Sequence, residues 1–263
     1  MQPDVMYHDL VVLHLNSRRI DCLMYADDIV IFSSSKAGLQ KRLDDLSKFC
    51  TKWCLEVNLS KTKVIIFNKP GKLLKEYFYF EKDTIECVNN YKYLGLKFIS
   101  SGLFKQGKEE LYKKSLKAVF KLQRSLSSSN PSISTLLHIY DHTIKPILMY
   151  GSEITGMFKT SSAACQKESE YLLQHIYMND FLDKSNLRYM KYILGVNKKS
   201  SNLAVLGELG RFPLYFSVVL SMLKYWFRIK NMKDGLLYDT YMCNKNMFDN
   251  NIECWYSSIH FIF

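Results

Sequence analysis

The chain has 263 residues, 48% of them hydrophobic, which is enough apolar material for one large domain or two small ones. Its seven cysteines follow a polar, acidic start, Met1-Gln2-Pro3-Asp4, so they are expected to be reduced intracellular thiols, not a secreted disulfide framework. The most apolar stretch, 212–229, contains Lys224 and Arg228, and its unbroken run is too short to span a bilayer; a buried amphipathic helix is expected there.

In chain order, Leu10–Leu15 is a strand candidate and Asn16-Ser17-Arg18-Arg19 a turn. Ile20–Phe32 follows, reading Ile-Asp-Cys-Leu-Met-Tyr-Ala-Asp-Asp-Ile-Val-Ile-Phe. Its two apolar runs flank Tyr25-Ala26-Asp27-Asp28, so a hairpin with two adjacent carboxylates at its tip is the simplest reading. Leu10–Leu15, Ile20–Met24 and Ile29–Phe32 are expected to form a small antiparallel sheet, whose apolar strands hold the tip against a core. The acids cannot follow those strands inward, because an unpaired buried carboxylate is too costly. They must meet solvent, a basic partner or a divalent cation, and Mg²⁺ takes oxygen ligands of this kind. The bland reading is a hairpin turn in which Asp is favoured for local reasons.

Ser33-Ser34-Ser35 supplies helix caps. Leu39, Leu43, Leu46, Cys50 and Trp53 then recur at helical spacing, with Lys41, Arg42, Asp44, Asp45 and Lys48 between them. This predicts an amphipathic helix over 36–54, laid on the sheet, with Trp53 as a core anchor in preference to a base-stacking platform. Cys50 and Cys54 share a helix face, but no second pair stands at zinc-finger spacing, so structural thiols are expected. Asn58-Leu59-Ser60-Lys61 is a turn and Lys63–Phe67 a strand. After a break at Asn68–Lys72, strands are predicted at Tyr77–Glu81 and Thr84–Val88 around a Lys82-Asp83 turn. Lys92–Ile99 is extended and interrupted at Gly95, for which a strand bulge is the bland reading.

From Lys105 the pattern turns helical. Leu111, Ser115, Ala118, Val119, Leu122 and Leu126 make one face, and Lys113, Lys114, Lys117, Lys121 and Arg124 populate others. Ser127-Ser128-Ser129-Asn130-Pro131 ends this helix and is the best domain joint in the sequence. His138 and His142 are one turn apart without an evident third ligand, so ordinary helix-face histidines are expected. Pro146 should end or kink that helix. Further helices are expected near Ala163–Met178, Asn186–Leu194, Asn202–Glu208 and Leu214–Met232. Residues 236–263 show no clean period and are expected to be irregular.

The net charge of +11 is localised. Residues 36–130 carry 20 Lys/Arg against 9 Asp/Glu, and the remaining residues carry 16 of each. A basic surface of this kind binds nucleic acid through phosphates, without reading sequence and with strong salt dependence. The competing reading is a solvated lysine-rich face.

Three ordered motifs resemble those of reverse transcriptases. Tyr25-Ala26-Asp27-Asp28 between hydrophobic strands is similar to the catalytic hairpin. Asn58-Leu59-Ser60-Lys61-Thr62-Lys63 followed by Val64-Ile65-Ile66-Phe67 resembles the next palm motif, and Tyr91-Lys92-Tyr93-Leu94-Gly95 the primer grip. Lys145–Glu153 and Gly207–Leu214 look like segments that follow the palm in non-LTR (LINE-type) retrotransposon polyproteins. The resemblance implies an α+β fold: a partial polymerase palm over 1–102, a first thumb helix over 103–130, a helical thumb and extension over 131–235, and the irregular tail. It implies Asp27 and Asp28 as ligands of Mg²⁺ (or Mn²⁺), Lys61 near the departing pyrophosphate with Lys63 as the alternative, Tyr25 and Ala26 near the nucleotide, and Tyr93, Leu94 and Gly95 against the primer 3′ end. The implied partners are an RNA template, a DNA primer and a dNTP, with no membrane.

Two-metal phosphoryl transfer needs carboxylates from more than one element. Neighbouring strand residues also point to opposite faces, so Asp27 and Asp28 do not supply a whole site. The family's further aspartate comes from an earlier palm strand, and Asp4, Asp9 and Asp21 do not stand in its motif. The sequence therefore resembles a C-terminal fragment, expected to be inactive as an isolated chain. The alternatives are a non-catalytic basic nucleic-acid-binding module and a helical interaction remnant without activity.

Overall fold

The computed structural model describes residues 13–15, 18–156 and 181–262. The fold is α+β, with short β-sheets in the first part of the chain and helices in the rest. Two compact units form: Met1–Leu103 with Asp234–Cys243, and Phe104–Lys233 with Asn244–Phe263.

In the first unit, β1 (Leu13–Leu15) pairs antiparallel with β2 (Arg18–Ile20), and β3 (Cys22–Tyr25) pairs antiparallel with β4 (Asp28–Ile31). Helix α1 (Lys36–Trp53) starts where the Ser35 hydroxyl accepts the Gly38 N–H at 3.1 Å, which satisfies one of the orphan donors of the first turn. It ends at Cys54 in the left-handed region. Next come β5 (Lys63–Val64), β6 (Phe78–Phe80) and β7 (Asp83–Cys87), with β7 central. The β5–β7 pair is parallel and the β6–β7 pair antiparallel. Alternation puts Phe78 and Phe80 inward and Tyr79 outward. Leu43 of α1 joins Val64, Phe78, Phe80 and Ile85 in a core, with Leu39 and Leu46 packed against it. The Gln40 amide brackets the β6 backbone: its Nε2 donates to the Tyr79 carbonyl at 2.8 Å, and its Oε1 accepts the Tyr79 N–H at 2.9 Å. This contact satisfies the free edge of β6 and pins the helix to the sheet.

Strands β8 (Asn90–Tyr93) and β9 (Leu96–Ile99) form a hairpin through Leu94 and Gly95, both at positive φ (46° and 82°). That is the conformation of a tight primed turn, whose twist matches that of the strands. Gly95 is a turn residue and not a bulge.

The second unit starts with α2 (Lys105–Ser125), which buries Leu111, Ser115 and Val119 on its expected face. Helix α3 (Ile133–Ile139) runs through a π-helical turn (Tyr140–Ile144) into α4 (Lys145–Met149). Pro146 offers no N–H and crowds the preceding turn, and the wider turn with a Lys145 N–H to Tyr140 C=O bond accommodates it. The proline thus perturbs the helix without ending it. Short α5 (Ser152–Thr155) is followed, after residues outside the description, by α6 (Phe181–Ile193), α7 (Asn202–Glu208), α8 (Leu214–Lys230), α9 (Leu236–Asp249) and α10 (Trp255–Ile262). Leu111, Val119, Tyr140, Ile144, Leu148, Tyr189, Met190 and Leu206 belong to one buried cluster. Gly156 packs closely on α8: a Cβ there would lie 2.6 Å from Met222 Sδ and 2.7 Å from Val218 Cγ1.

Several expectations are corrected. The three leading strands do not share one sheet; β1–β2 and β3–β4 are separate pairs, and Arg18 and Arg19 lie in a strand and not in a turn. The strand expected over 63–67 is two residues long. Trp53 is 60% exposed; it stands past Cys50, the last buried residue of α1, beside the left-handed Cys54 cap. Arg42, expected on the polar side, is 9% exposed; its guanidinium donates to the Asp21 carbonyl at 2.7 Å and lies 3.1 Å from the Asp21 carboxylate. Of the tail 236–263, expected to be irregular, the described residues form α9 (Leu236–Asp249) and α10 (Trp255–Ile262) with a short link between them. The helix expected over 163–178 lies outside the described residues.

Candidate functional site

The β3–β4 hairpin carries the acidic pair. Its register, Cys22↔Ile31 through Tyr25↔Asp28, leaves Ala26 and Asp27 as a two-residue loop. Ala26 has φ 51°, a left-handed conformation that costs a non-glycine residue roughly 1–2 kcal/mol. Asp28 opens β4, and both carboxylates face solvent. The apolar flanks do not bury the hairpin: Met24 is 71% exposed and Tyr25 65%, with Leu23 and Ile29 also exposed. The expectation that these strands press the tip onto a core is overturned. Alternating apolar residues find no second layer here among the described residues, and a two-stranded ribbon has no interior of its own.

Lys61 is exposed in the loop before β5. The loop is an Asx-type turn in which Asn58 Oδ1 accepts the Lys61 N–H at 3.2 Å and the Asn58 carbonyl accepts it at 3.1 Å. The Tyr91 hydroxyl donates to the Lys61 carbonyl at 2.9 Å. The second and third sequence motifs are thereby joined, Lys61 to the hairpin that carries Tyr93, Leu94 and Gly95. That link was illegible in the sequence, because it runs through a backbone acceptor. Lys63 is held by Glu86 at 2.7 Å across the parallel pair, which leaves Lys61 the freer of the two candidates. Neither Asp27 nor Asp28 bonds to Lys61.

No group of three His, Cys, Asp or Glu side chains able to hold a metal occurs among the described residues. Asp21 is the nearest further acid in sequence, and it is taken up by Arg19 (2.9 Å) and Arg42. The pair therefore fits part of a hard-cation site, one or two carboxylates to be completed by other oxygens. It does not fit a complete two-cation site. His138 and His142 stack at 4.1 Å between ring centroids and are exposed, as ordinary helix-face residues are.

The basic stretch is partly neutralised. Lys36 pairs with Glu76 at 2.5 Å, Lys48 with Asp45 at 3.2 Å and Lys113 with Glu109 at 2.9 Å. Lys117, Lys121 and Arg124 are exposed on α2. No described helix is long and apolar enough to cross a membrane. The six described cysteines are free thiols, Cys50 buried and Cys54 exposed.

In the second unit the structure joins two segments to which sequence reasoning gave no chemistry. Arg211 makes a two-pronged ion pair with Asp141, Nη1 to Oδ1 at 3.0 Å and Nη2 to Oδ2 at 2.8 Å. Below it the Tyr140 hydroxyl donates to Asn186 Oδ1 at 2.7 Å, and Asn186 Nδ2 donates to Asp183 Oδ1 at 3.1 Å. Asp183 Oδ1 also accepts the Leu214 N–H at 3.0 Å, at the start of α8. Burial, reinforced by the nearby Asp183 charge, holds the Tyr140 phenol far above its ordinary range. It is therefore a hydrogen-bond donor at every working pH.

The first unit is thus a small α+β unit that presents two adjacent carboxylates on a hairpin tip, followed by a lysine loop and a glycine turn. Residues 6–98 match the family described as reverse transcriptase (RNA-dependent DNA polymerase). The match includes the acidic hairpin, Lys61 and the Tyr93-Leu94-Gly95 turn. An uncharacterised transposon-derived protein of Caenorhabditis elegans is 28% identical over 143 residues, which cover 54% of this chain and 50% of that protein. The matched stretch thus spans about half the length of this curated relative. No solved structure matches.

Proposed function

We propose that this chain is the palm end, thumb and helical extension of a LINE-type RNA-directed DNA polymerase. The reading is carried by one observation: the residues matched to reverse transcriptases, 6–98, include a hairpin whose tip carboxylates, Asp27 and Asp28, stand exposed. In this reading Asp27 and Asp28 offer oxygen ligands to Mg²⁺ or Mn²⁺, the group that neutralises charge during phosphoryl transfer. Tyr25 and Ala26 adjoin the nucleotide, and Lys61 stabilises charge on the departing phosphate oxygens. Tyr93, Leu94 and Gly95 face the primer end. The α2 cations follow the phosphates of the RNA–DNA duplex. The transposon-derived relative supports a mobile-element origin.

The same chain by itself is proposed to bind without synthesis, because no third acid joins the pair among the described residues. The test is a labelled RNA–DNA primer–template titrated with the purified chain across a salt series, with dNTPs and Mg²⁺ in a parallel extension lane. Salt-sensitive binding without extension is expected. Extension that disappears in Asp27→Ala would show a complete catalytic site and overturn the inactivity. Absence of both binding and extension would remove the polymerase reading and leave ancestry alone.

A further inference from the structure

The cleft above the Tyr140–Asn186 bond is lined by side chains of complementary character. Tyr140, Lys145, Asn186, Arg211, Phe212 and Ser217 line it, and its volume is about 210 Å³. Pockets that enclose a whole small molecule run to ~300–1,000 Å³, so this one suits a single planar group belonging to a longer ligand. Phe212 is 79% exposed, the largest exposure of any aromatic ring among the described residues. It is held edge-on by Phe216 at 5.7 Å between centroids. An aromatic ring fixed in solvent at the wall of a cleft is a stacking surface.

The charge is distributed to match. Arg211 is closed by Asp141, and the buried Asp183 lies behind Asn186 with one oxygen taken by two N–H donors. Lys145 makes no ion pair among the described residues and keeps its ammonium available. Helix α8, which leads away from the cleft, contains Lys224, Arg228 and Lys230 and no acidic residue. A ring for stacking, a polar wall and cations along the exit are the features that hold one base of a single strand and its phosphates.

We propose that this cleft takes one unpaired nucleotide of a single-stranded nucleic acid, its base against Phe212 and its phosphate on Lys145. The site stands wholly on the second unit, outside the matched residues 6–98, and it requires no polymerase activity. It also gives a chemical role to the segments around Lys145 and Arg211, which the palm reading leaves unused.

The test is fluorescence anisotropy of the full chain with a labelled single-stranded oligonucleotide, a duplex, and an abasic oligomer of equal length and charge. The single strand should bind more tightly than the abasic oligomer. Phe212→Ala should weaken binding at least about fivefold and erase that preference, while Phe212→Tyr keeps both. Lys145→Ala should lower the salt slope by about 0.7, one phosphate contact on a single strand. Phe227→Ala is the control, an exposed aromatic on the order of 20 Å along α8. Its binding should match that of the parent chain. Circular dichroism of each variant separates lost binding from lost fold. Equal binding to the base-bearing and abasic oligomers, equal competition by polyglutamate, or an unchanged Phe212→Ala affinity would overturn the proposal. None of these outcomes bears on primer extension, so the palm reading stands or falls separately.

Discussion

The hydroxyl of Tyr140 offers a sharp test of how the second unit is held together. Tyr140 is buried, and its O–H donates to the equally buried Asn186 Oδ1 at 2.7 Å. Tyr140→Phe keeps the ring, which stacks on Tyr189 at 5.5 Å, and removes only the donor. Asn186, itself only 2% exposed, then keeps an Oδ1 acceptor without its donor. A typical bond is worth about 1 kcal/mol net, and a buried acceptor left unsatisfied costs about 1–3 kcal/mol. For a unit of about 150 residues, 1 kcal/mol corresponds to roughly 2–4 °C in Tm. Tyr140→Phe should therefore lower the melting temperature by roughly 2–12 °C and the urea midpoint in proportion, with an unchanged m-value. Asn186→Ala should cost more, because it also removes the N–H donated to Asp183. In the double variant the effects should fall short of additive, since the two residues share one bond. Urea denaturation followed by circular dichroism reads all three. A neutral Tyr140→Phe, or strictly additive effects, would refute the assignment of this bond as a structural tie.

The same burial has a pH signature. Tyr140 is held above the ordinary tyrosine range and Tyr189 is pushed up to about 12. The unfolded chain therefore releases those protons from about pH 10 while the folded chain retains them. Stability should fall as pH rises above about 10, and Tyr140→Phe should flatten part of that fall, as read by Tm against pH. Gly156→Ala should destabilise the second unit by about 1–3 kcal/mol in thermal melts, because its Cβ meets Met222 and Val218 inside van der Waals contact. Ser35→Ala should cost the first unit about 0.5–2 kcal/mol through loss of the α1 cap, with Ser35→Asp retaining it. Gly95→Ala should destabilise the β8–β9 hairpin by roughly 1–2 kcal/mol, since φ 82° is strained for any residue with a Cβ; hydrogen exchange of the β9 amides would report it.

The sequence by itself determined the local structure wherever short-range physics decides. The Ser35 cap and the spacing of Leu39, Leu43, Leu46 and Cys50 marked α1. The periodic face of α2 and the bounds of α7 were equally legible, because 3.6-residue periodicity is carried by adjacent residues. The Tyr25-Ala26-Asp27-Asp28 tip was readable too, as a polar break between apolar strands. Only the tertiary structure decided what those elements press against. It left the hairpin's apolar residues and Trp53 in solvent, because burial depends on the partner layer and not on the strand that seeks one. It buried Arg42, a charged residue expected on the polar side of α1, because Asp21 lies across the space that its guanidinium enters. It joined Lys61 to Tyr91 through a carbonyl that no side-chain pattern advertises. It also brought Tyr140 and Asp141 to Asn186 and Arg211, between 46 and 70 residues away in the chain. Such pairings are fixed by packing over distances at which sequence periodicity carries no information.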